Sequence, residues 1–305
     1  MAKRSILIVG GTGFIGSHLI GALLERGDEV RVWARNQRRA REALPRGIVV
    51  VGSLGEIPES TRVDAIVNLA GAPAVGPLWT KARRKLLIDS RVQPTLALID
   101  WCARRESPPE VMLSASAIGF YGTGGERLLD ERSPPTSEFQ SVLCQQREAA
   151  TRGARTLGIR VVNARFGVVL GADGGLFSRL ALAARWGGAA ILGDGQQWMS
   201  WIHLRDTLAA IERLLEDAEF EGPVNVVSPG PVRQREFQRV LTRTLHRPLW
   251  LRAPEPALRV MLGEMSDLLV RSQRVQPALL QQRGFDFGFP EIEAAVQDLV
   301  RRGRS

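Results

Sequence analysis

The chain has 305 residues, of which 44% are hydrophobic and 24% charged, and its formal net charge is +9. This composition is that of a globular protein with a substantial core, and it excludes an intrinsically disordered chain. No apolar run approaches the roughly 20 residues that span a bilayer, so we expect no membrane segment. The arginines are interleaved with acidic residues and form no basic tail, so we expect no nucleic-acid partner.

Cysteine and histidine are scarce. The two cysteines, Cys102 and Cys144, are too few for a disulfide framework, and their spacing matches no metal motif. The three histidines are far apart in the sequence. We therefore expect no metal site and a reducing, cytoplasmic environment. A homodimer stays an open alternative, because the sequence does not decide the oligomeric state.

Strand-like and helix-like segments alternate through the first half of the chain, which is typical of a parallel sheet covered on both faces. The predicted strands span residues 5–10, 29–34, 48–52, 64–71, 110–116 and 159–170. The helices predicted between them include residues 13–27, 81–105 and 138–157. The pattern predicts an α/β fold with a Rossmann-type doubly wound parallel sheet.

The amino-acid composition changes after residue 170, where glycine and tryptophan become frequent. We expect residues 1–170 to form a nucleotide-binding Rossmann domain, to which residues 200–228 return. Residues 171–305 would form a smaller, interleaved carboxyl-terminal lobe that binds substrate.

The glycine-rich turn after the first strand is the strongest signal. Gly10, Gly13 and Gly16 follow an apolar strand and open a helix. Glycines at this spacing permit a tight turn and a close approach of the backbone to a pyrophosphate, which the free amides of the helix start then bind. The predicted cofactor-binding turn consists of Gly10, Gly11, Thr12, Gly13, Phe14, Ile15 and Gly16.

The end of the second strand distinguishes NADP from NAD. NAD-binding proteins carry an acidic residue there for the ribose hydroxyl, whereas this chain has Arg35 after Trp33 and Ala34. A guanidinium suits a 2′-phosphate. We therefore predict NADP, with NAD less favoured; the alternative is that Arg35 only begins a solvated loop.

Several motifs together resemble one known family. The glycine turn, VNLAGAP at 67–73, SASAIGFYG at 114–122, RFGVVLG at 165–171 and GDGQQWMSWIHLRD at 193–206 are similar to the extended short-chain dehydrogenase/reductase superfamily, also called the NAD-dependent epimerase/dehydratase superfamily. Within it, the chain resembles the atypical YfcH-like epimerases. The resemblance spans nearly the whole chain, and it implies the fold more firmly than any reaction.

The resemblance also implies a set of cofactor contacts. The turn from Gly10 to Gly16 would hold the pyrophosphate, and Arg35 the 2′-phosphate. Arg91 would contact the cofactor from its helix, and Val168 would line the nicotinamide end. The residues placed beside the adenosine would be Leu69, Ala70 and Gly71.

The chemistry of the superfamily uses a serine, a tyrosine and, four residues after the tyrosine, a lysine. Here the single tyrosine, Tyr121, is followed four residues later by Gly125, and no lysine follows Lys85. The motif is therefore absent. The catalytic serine is kept as Ser116, and Tyr121 is the predicted replacement proton donor; the alternative is that Tyr121 only packs in its turn.

Cys144 and Glu148 fall where the resemblance places the missing tyrosine and lysine. A lysine lowers the pKa of the neighbouring tyrosine in the usual motif, whereas a carboxylate such as Glu148 raises the pKa of a neighbouring thiol. Cys144 is therefore better interpreted as a small buried residue than as a proton donor. The tryptophan–histidine stretch, with Trp198, Trp201 and His203, borders the expected substrate pocket, and packing is an equally good interpretation of it.

Two functions stay open. The first is an NADP-dependent oxidoreductase or epimerase-like enzyme that acts on a small molecule with an alcohol or carbonyl group. A sugar-like substrate is one alternative. The second is a sensor or interaction protein that binds NADP(H) without turnover.

Overall fold

We describe residues 3–303 in a computed structural model. Its strands, in chain order, are β1 Ser5–Val9, β2 Glu29–Trp33, β3 Val49–Val51, β4 Ala65–Asn68, β5 Val111–Ala117, β6 Leu128–Leu129, β7 Arg160–Phe166, β8 Val168–Leu170, β9 Ala190–Leu192, β10 Trp198–Met199, β11 Trp201–His203, β12 Gly222–Val226, β13 Val232–Arg233, β14 Leu251–Ala253 and β15 Arg274–Val275. The two longest strands, β5 and β7, are buried along almost their whole length, as expected for strands covered on both faces.

Helices connect these strands and cover them. They are α1 Phe14–Glu25, α2 Gln37–Ala43, α3 Lys81–Ala103, α4 Phe139–Ala150, α5 Arg152–Arg155, α6 Gly175–Arg185, α7 Leu204–Glu216, α8 Gln234–Thr244, α9 Glu255–Leu262, α10 Asp267–Val270, α11 Ala278–Gln282 and α12 Ile292–Arg302. Short 3₁₀ turns at Leu54–Glu56, Ile118–Tyr121 and Gly263–Ser266 complete the regular structure.

The central sheet has seven parallel strands in the order β12-β7-β5-β4-β1-β2-β3. The chain starts in the middle of the sheet and winds outward in both directions, so the strand order reverses beside β1. In open sheets of this kind, ligands bind outside the carboxyl ends of the strands at that reversal. The predicted Rossmann-type, doubly wound α/β fold is confirmed.

Two of the predicted elements are divided in the structure. The strand predicted for residues 159–170 stops at Gly167, where a Cβ would lie 2.7 Å from the carbonyl oxygen of Ser200. After this close approach β8 leaves the central sheet and pairs with β11 instead. The helix predicted for residues 138–157 is likewise interrupted, at Thr151 between α4 and α5.

The second half of the chain contributes to two packed regions. Helix α7 and strand β12 return to the central sheet, where β12 forms its edge beside β7. Helices α6, α8 and α12 pack around a separate cluster that includes Phe177, Trp201 and Phe237. This second cluster lies next to β8 and β11, beyond the carboxyl ends of the central strands.

Residues 3–303 contain no helix with the length and hydrophobicity of a membrane span. The same residues contain no group of three or more His, Cys, Asp and Glu side chains that would hold a metal ion.

Candidate active site

The turn between β1 and α1 requires glycine for two separate reasons. Gly10 has a φ of +82°, and a Cβ on it would lie 2.7 Å from the carbonyl oxygen of Leu69. A Cβ on Gly16 would lie 2.4 Å from the carbonyl oxygen of Gly10. The turn therefore packs against β4 and against itself with no room for a side chain. A hydrogen bond of 3.0 Å from the Gly13 amide to the Gly10 carbonyl closes it.

Helix α1 starts at this turn without a side-chain cap. Its N-cap is Gly13, so no side chain accepts from the amides of the first turn. These free amides and the helix dipole make the start of α1, at the carboxyl edge of the sheet, favourable for an anion. The ring of Phe14 points elsewhere, because it lies against Gly171 and Gly174 in the loop after β8. Any ligand contact of Phe14 would thus come from its backbone.

A buried arginine, Arg147, and a half-buried one, Arg91, border the next loop, which follows β4 and contains Leu69, Ala70 and Gly71. Arg91 on α3 donates to the Ala72 carbonyl at 3.0 Å. Arg147 on α4 donates to the Asn68 carbonyl at 2.8 Å. Burial lowers the pKa of both groups, and their mutual repulsion lowers that of Arg147 further.

Neither of these two arginines forms an ion pair with a carboxylate within residues 3–303. Glu148, which is paired with Arg165, acts on Arg147 only through space. Arg91 also lies close to Gly71, where a Cβ would meet its Cζ at 3.0 Å. The two cations therefore leave the carboxyl edge of the sheet electropositive, which favours an anionic ligand there.

Arg35 lies just beyond the end of β2. It is exposed, and it precedes Asn36, whose side chain accepts from the Arg39 amide at 3.0 Å to cap α2. The position is the one at which a 2′-phosphate is bound in a fold of this type.

A row of polar side chains crosses three strands of the sheet near their carboxyl ends. The strand register sets Ser116 on β5 opposite Arg165 on β7, and Arg165 opposite Asn225 on β12. Side chains at the same register of parallel strands point to the same face. The row thus brings together residues that are up to 109 positions apart in the sequence, and α4 supplies Glu148 to it.

The carboxylate of Glu148 connects Ser116 to Arg165. The Ser116 hydroxyl donates to Glu148 Oε1 at 2.6 Å. Arg165 donates to both carboxylate oxygens, from Nε at 2.9 Å and from Nη2 at 2.8 Å. This bidentate pair is almost fully enclosed, with the side chains of Arg165 and Glu148 only 4% and 12% exposed. The arrangement fixes the orientation of the carboxylate toward the serine.

Tyr121 occupies the far end of the same network. Its hydroxyl donates to Asn225 Oδ1 at 2.7 Å and accepts from Arg165 Nη1 at 2.9 Å. The side chain is 1% exposed, and burial raises its pKa to about 12. Arg165 and Glu148 therefore separate the phenol from Ser116. The structure brings the two predicted catalytic residues into one network but does not place them side by side.

Cys144 is buried beside Ser116, on the face of α4 that meets β5. Burial is the larger cause of the raised pKa of its thiol, and the neighbouring Glu148 adds to it. A raised thiol pKa opposes thiolate formation. The position therefore suits the small buried residue inferred from the sequence.

The residues of the tryptophan–histidine stretch have two roles: Trp201 and His203 pack in the interior, whereas Trp198 lines a pocket. Trp201 is fully buried and donates to the Gly230 carbonyl at 2.8 Å. His203 stacks on Phe289 at 3.9 Å, and its Nδ1 accepts from the Arg205 amide, which caps α7. Burial lowers the pKa of His203 to about 4. Asp206, in the first turn of α7, does not cap the helix, because it accepts from the backbone amides of residues 288 and 289.

A largely apolar pocket adjoins the polar row. Val168 and Ile118, two residues after Ser116, line one side of it. Trp198 on β10 and Phe237 on α8 line the other. Val168, predicted at the nicotinamide end, therefore borders both the sheet edge and this pocket.

Several residues of the site were not found from the sequence. Arg165 and Asn225 carry no local motif, and only the strand register reveals that they face Ser116. The sequence places Glu148 where the lysine is missing, but it does not reveal the hydrogen bond from Ser116 to Glu148. Four glutamines also line the pocket: Gln197, Gln234, Gln238 and Gln273. The sequence indicates them only through the frequency of glutamine in this half of the chain.

Comparison with known proteins agrees with this architecture. A sequence model of the NAD dependent epimerase/dehydratase family matches residues 6–228, and one of a domain of unknown function (DUF1731) matches residues 253–299. The chain is 36% identical over 301 residues to the epimerase family protein YfhF of Bacillus subtilis, covering 97% of this chain and 98% of that protein.

A relative from Arabidopsis thaliana, the chloroplastic homologue of epimerase family protein SDR39U1, is 31% identical and covers 98% of this chain and 88% of its own. The crystal structure of human SDR39U1 with NADPH superimposes with a TM-score of 0.87 at 28% identity, covering 98% and 99% of the two chains. UDP-glucose 4-epimerase of Thermotoga maritima, at 18% identity and a TM-score of 0.80, shares the fold. The chain belongs to the NAD dependent epimerase/dehydratase family.

Proposed function

We propose that this protein binds NADP(H) and catalyses hydride transfer at an alcohol or carbonyl carbon of a small molecule. The cofactor part of the proposal is supported by the glycine turn and by the similar human protein, whose structure contains NADPH. The catalytic part rests on one observation, the hydrogen bond of 2.6 Å between Ser116 and Glu148 at the carboxyl edge of the sheet.

The residues at this edge fit a dinucleotide. Gly10 and Gly16 let the turn pack without side chains, so its backbone can come close to a pyrophosphate, and the uncapped amides of α1 begin at the same turn. The unpaired charges of Arg91 and Arg147 favour the same anion. Leu69, Ala70 and Gly71 would lie along the adenosine half, with Thr12 and Ile15 supplying backbone contacts from the turn.

We assign the preference for NADP over NAD to Arg35. Its guanidinium is exposed at the end of β2, without a carboxylate neighbour in the segment Trp33–Asn36 that would bind a ribose hydroxyl. A planar guanidinium binds a phosphate with two parallel hydrogen bonds.

We further propose that Ser116 and Glu148 replace the tyrosine and lysine of related enzymes. When bound, the cofactor supplies or accepts the hydride. In the oxidative direction, the substrate hydroxyl gives its proton to Ser116 Oγ, which passes its own proton to Glu148 Oε1. Reduction runs the same two transfers in reverse. Arg165 holds the carboxylate in place. This revises the initial expectation that Tyr121 donates the proton, since its hydroxyl is engaged by Asn225 and Arg165.

The test measures cofactor binding and turnover separately. NADPH binding is followed by calorimetry, and oxidation of bound NADPH is followed by absorbance with a panel of aldehydes and ketones. Ser116→Ala and Glu148→Gln should each lower turnover by roughly 10²–10⁴-fold, the usual contribution of a proton-transfer group, while NADPH binding is retained.

Two outcomes would count against the proposal. Turnover that persists unchanged in both variants would exclude the Ser116–Glu148 route. NADPH binding without oxidation by any compound would favour the rival function, a sensor or interaction protein that holds the cofactor without turnover. Glu42→Gln, on exposed α2, is the matched control for loss of one carboxylate.

A further inference from the structure

The apolar pocket beside Val168 differs in chemistry from a nucleotide-sugar site. Its walls are mainly leucine, isoleucine, valine and methionine side chains, together with Phe237 and Trp198. A nucleotide diphosphate carries two negative charges that need cationic or amide partners. The lining residues supply only one cation, Arg271, and it is already used: it pairs with Glu138 at 2.6 Å and with Asp267 at 2.7 Å.

Two further arginines approach Trp198 from outside the lining. Arg233 lies 4.0 Å from the Trp198 ring centroid and pairs with Glu126 at 2.7 Å, so its charge is also balanced. Arg274 stacks on the same ring at 4.5 Å. The guanidinium groups near the pocket thus serve ion pairs and ring stacking, and none of them lines the pocket unpaired.

Most polar groups of the lining are likewise engaged by the protein itself. Gln197 donates to the carbonyls of residues 192 and 269, and Gln273 donates to those of residues 118 and 122. Gln234 accepts from the Leu192 amide at 3.2 Å. Ser200 donates to the Gln273 carbonyl at 2.8 Å. These groups shape the wall and leave little hydrogen-bonding capacity for a ligand.

Among the four glutamines, Gln238 is the exception. It lines the pocket from α8 and is only 2% exposed, yet its Oε1 has no hydrogen-bond partner within residues 3–303. An unpaired buried acceptor is unfavourable, so such a group is expected to have a partner in the functional state. A ligand in the pocket that carries a hydroxyl or N–H would supply that partner.

We propose that the substrate is an uncharged, largely apolar alcohol or carbonyl compound with one hydrogen-bond donor at the end that reaches Gln238, and that it is not a nucleotide sugar. The proposal rests on the function proposed above, since it places the reacting carbon near Ser116 and the apolar body beyond Val168. It adds the chemical class of the substrate and the residue that selects it.

The experiment compares three ligands by calorimetry on the NADPH-loaded protein. The probes are the diol 4-(4-hydroxymethylphenyl)butan-2-ol (the alcohol), its benzylic methyl ether (the ether), which keeps the reacting carbinol but lacks the donor for Gln238, and UDP-glucose. The alcohol should bind roughly fivefold to tenfold more tightly than the ether, the factor that one net hydrogen bond supplies. UDP-glucose should give no measurable binding.

Variants identify the residue responsible. In Gln238→Leu, and in Gln238→Met as a second variant of similar size, the alcohol should lose its advantage while the ether still binds. Gln282→Leu, an exposed glutamine on α11, is the control and should keep the wild-type preference. Retention of ether binding shows that the substituted pocket is intact.

Three results would overturn the inference: tighter binding of UDP-glucose than of the alcohol, equal binding of alcohol and ether to the wild type, or no binding of either apolar probe. Titration with NADPH alone separates this failure from that of the proposed function. If NADPH binds and the alcohol preference is absent, only the substrate class is wrong; if NADPH does not bind, the proposed function itself fails.

Discussion

Replacement of Tyr121 by phenylalanine distinguishes a structural tyrosine from a catalytic one. The hydroxyl makes two buried hydrogen bonds, one to Asn225 and one from Arg165. Its removal leaves the Asn225 carbonyl oxygen without that donor, while Arg165 keeps both bonds to Glu148. An unsatisfied buried polar group costs about 1–3 kcal/mol. We therefore expect Tyr121→Phe to lower the free energy of unfolding by about that amount.

The assay combines urea unfolding with turnover measured well below the unfolding transition. We expect reduced stability and turnover within about tenfold of wild type, because Ser116 and Glu148 are untouched; loss of a general acid would instead reduce turnover by about 10²–10⁴-fold. Phe220→Leu, at a buried core ring outside the network, serves as the control for packing. Wild-type stability combined with a loss of turnover above about 100-fold would refute the reasoning and restore Tyr121 as the proton donor.

Three further predictions concern the site and its surroundings. Arg165→Met leaves Glu148 buried without its partner and should cost about 3–5 kcal/mol of unfolding free energy in urea denaturation, whereas Arg283→Met, which breaks an exposed pair, should cost less than about 1 kcal/mol. Because burial lowers the pKa of His203 from 6.5 to about 4, the unfolded chain binds more protons between those values, so stability should be full above pH 6.5 and decrease toward pH 4. Urea unfolding across this range should show a smaller decrease in His203→Gln, and an unchanged slope would contradict the assignment. Cys144→Ala should leave turnover unchanged, and a large loss would show that the thiol takes part.

The glycine turn could be predicted from the sequence because its requirement is local. The constraints on Gly10 and Gly16 come from the backbone of the turn and of the adjacent strand β4, and the spacing of the glycines records them directly. The alternation of strands and helices likewise determines a parallel sheet. The fold and the position of the cofactor edge follow from these short-range signals.

The network around Ser116 could not be predicted in the same way. Its members lie on strands β5, β7 and β12 and on helix α4, and they meet only because of the sheet order and register. A count of tyrosines singled out Tyr121, but its burial against Asn225 depends on a contact across 104 residues. The sequence therefore indicates which catalytic motif is absent and that Cys144 and Glu148 stand in its place, but not that Glu148 accepts a hydrogen bond from Ser116.

The pocket was the least predictable part. Its walls come from segments spread between residues 118 and 273, and no spacing rule connects them. The orphaned acceptor of Gln238 is visible only after the partners of the other three glutamines have been assigned.

The most direct test of the account is a calorimetric titration of the wild-type protein and of Arg35→Ala with NADPH and with NADH. The control is Arg46→Ala, an exposed arginine that precedes β3 and therefore lies toward the amino ends of the parallel strands, whereas Arg35 follows the carboxyl end of β2. We expect the wild type to bind NADPH more tightly than NADH. We also expect Arg35→Ala to lose roughly tenfold or more in affinity for NADPH, the scale of one charged hydrogen bond, and to keep its affinity for NADH. Absence of binding heat with both dinucleotides would contradict the central claim that the glycine turn holds a nicotinamide cofactor.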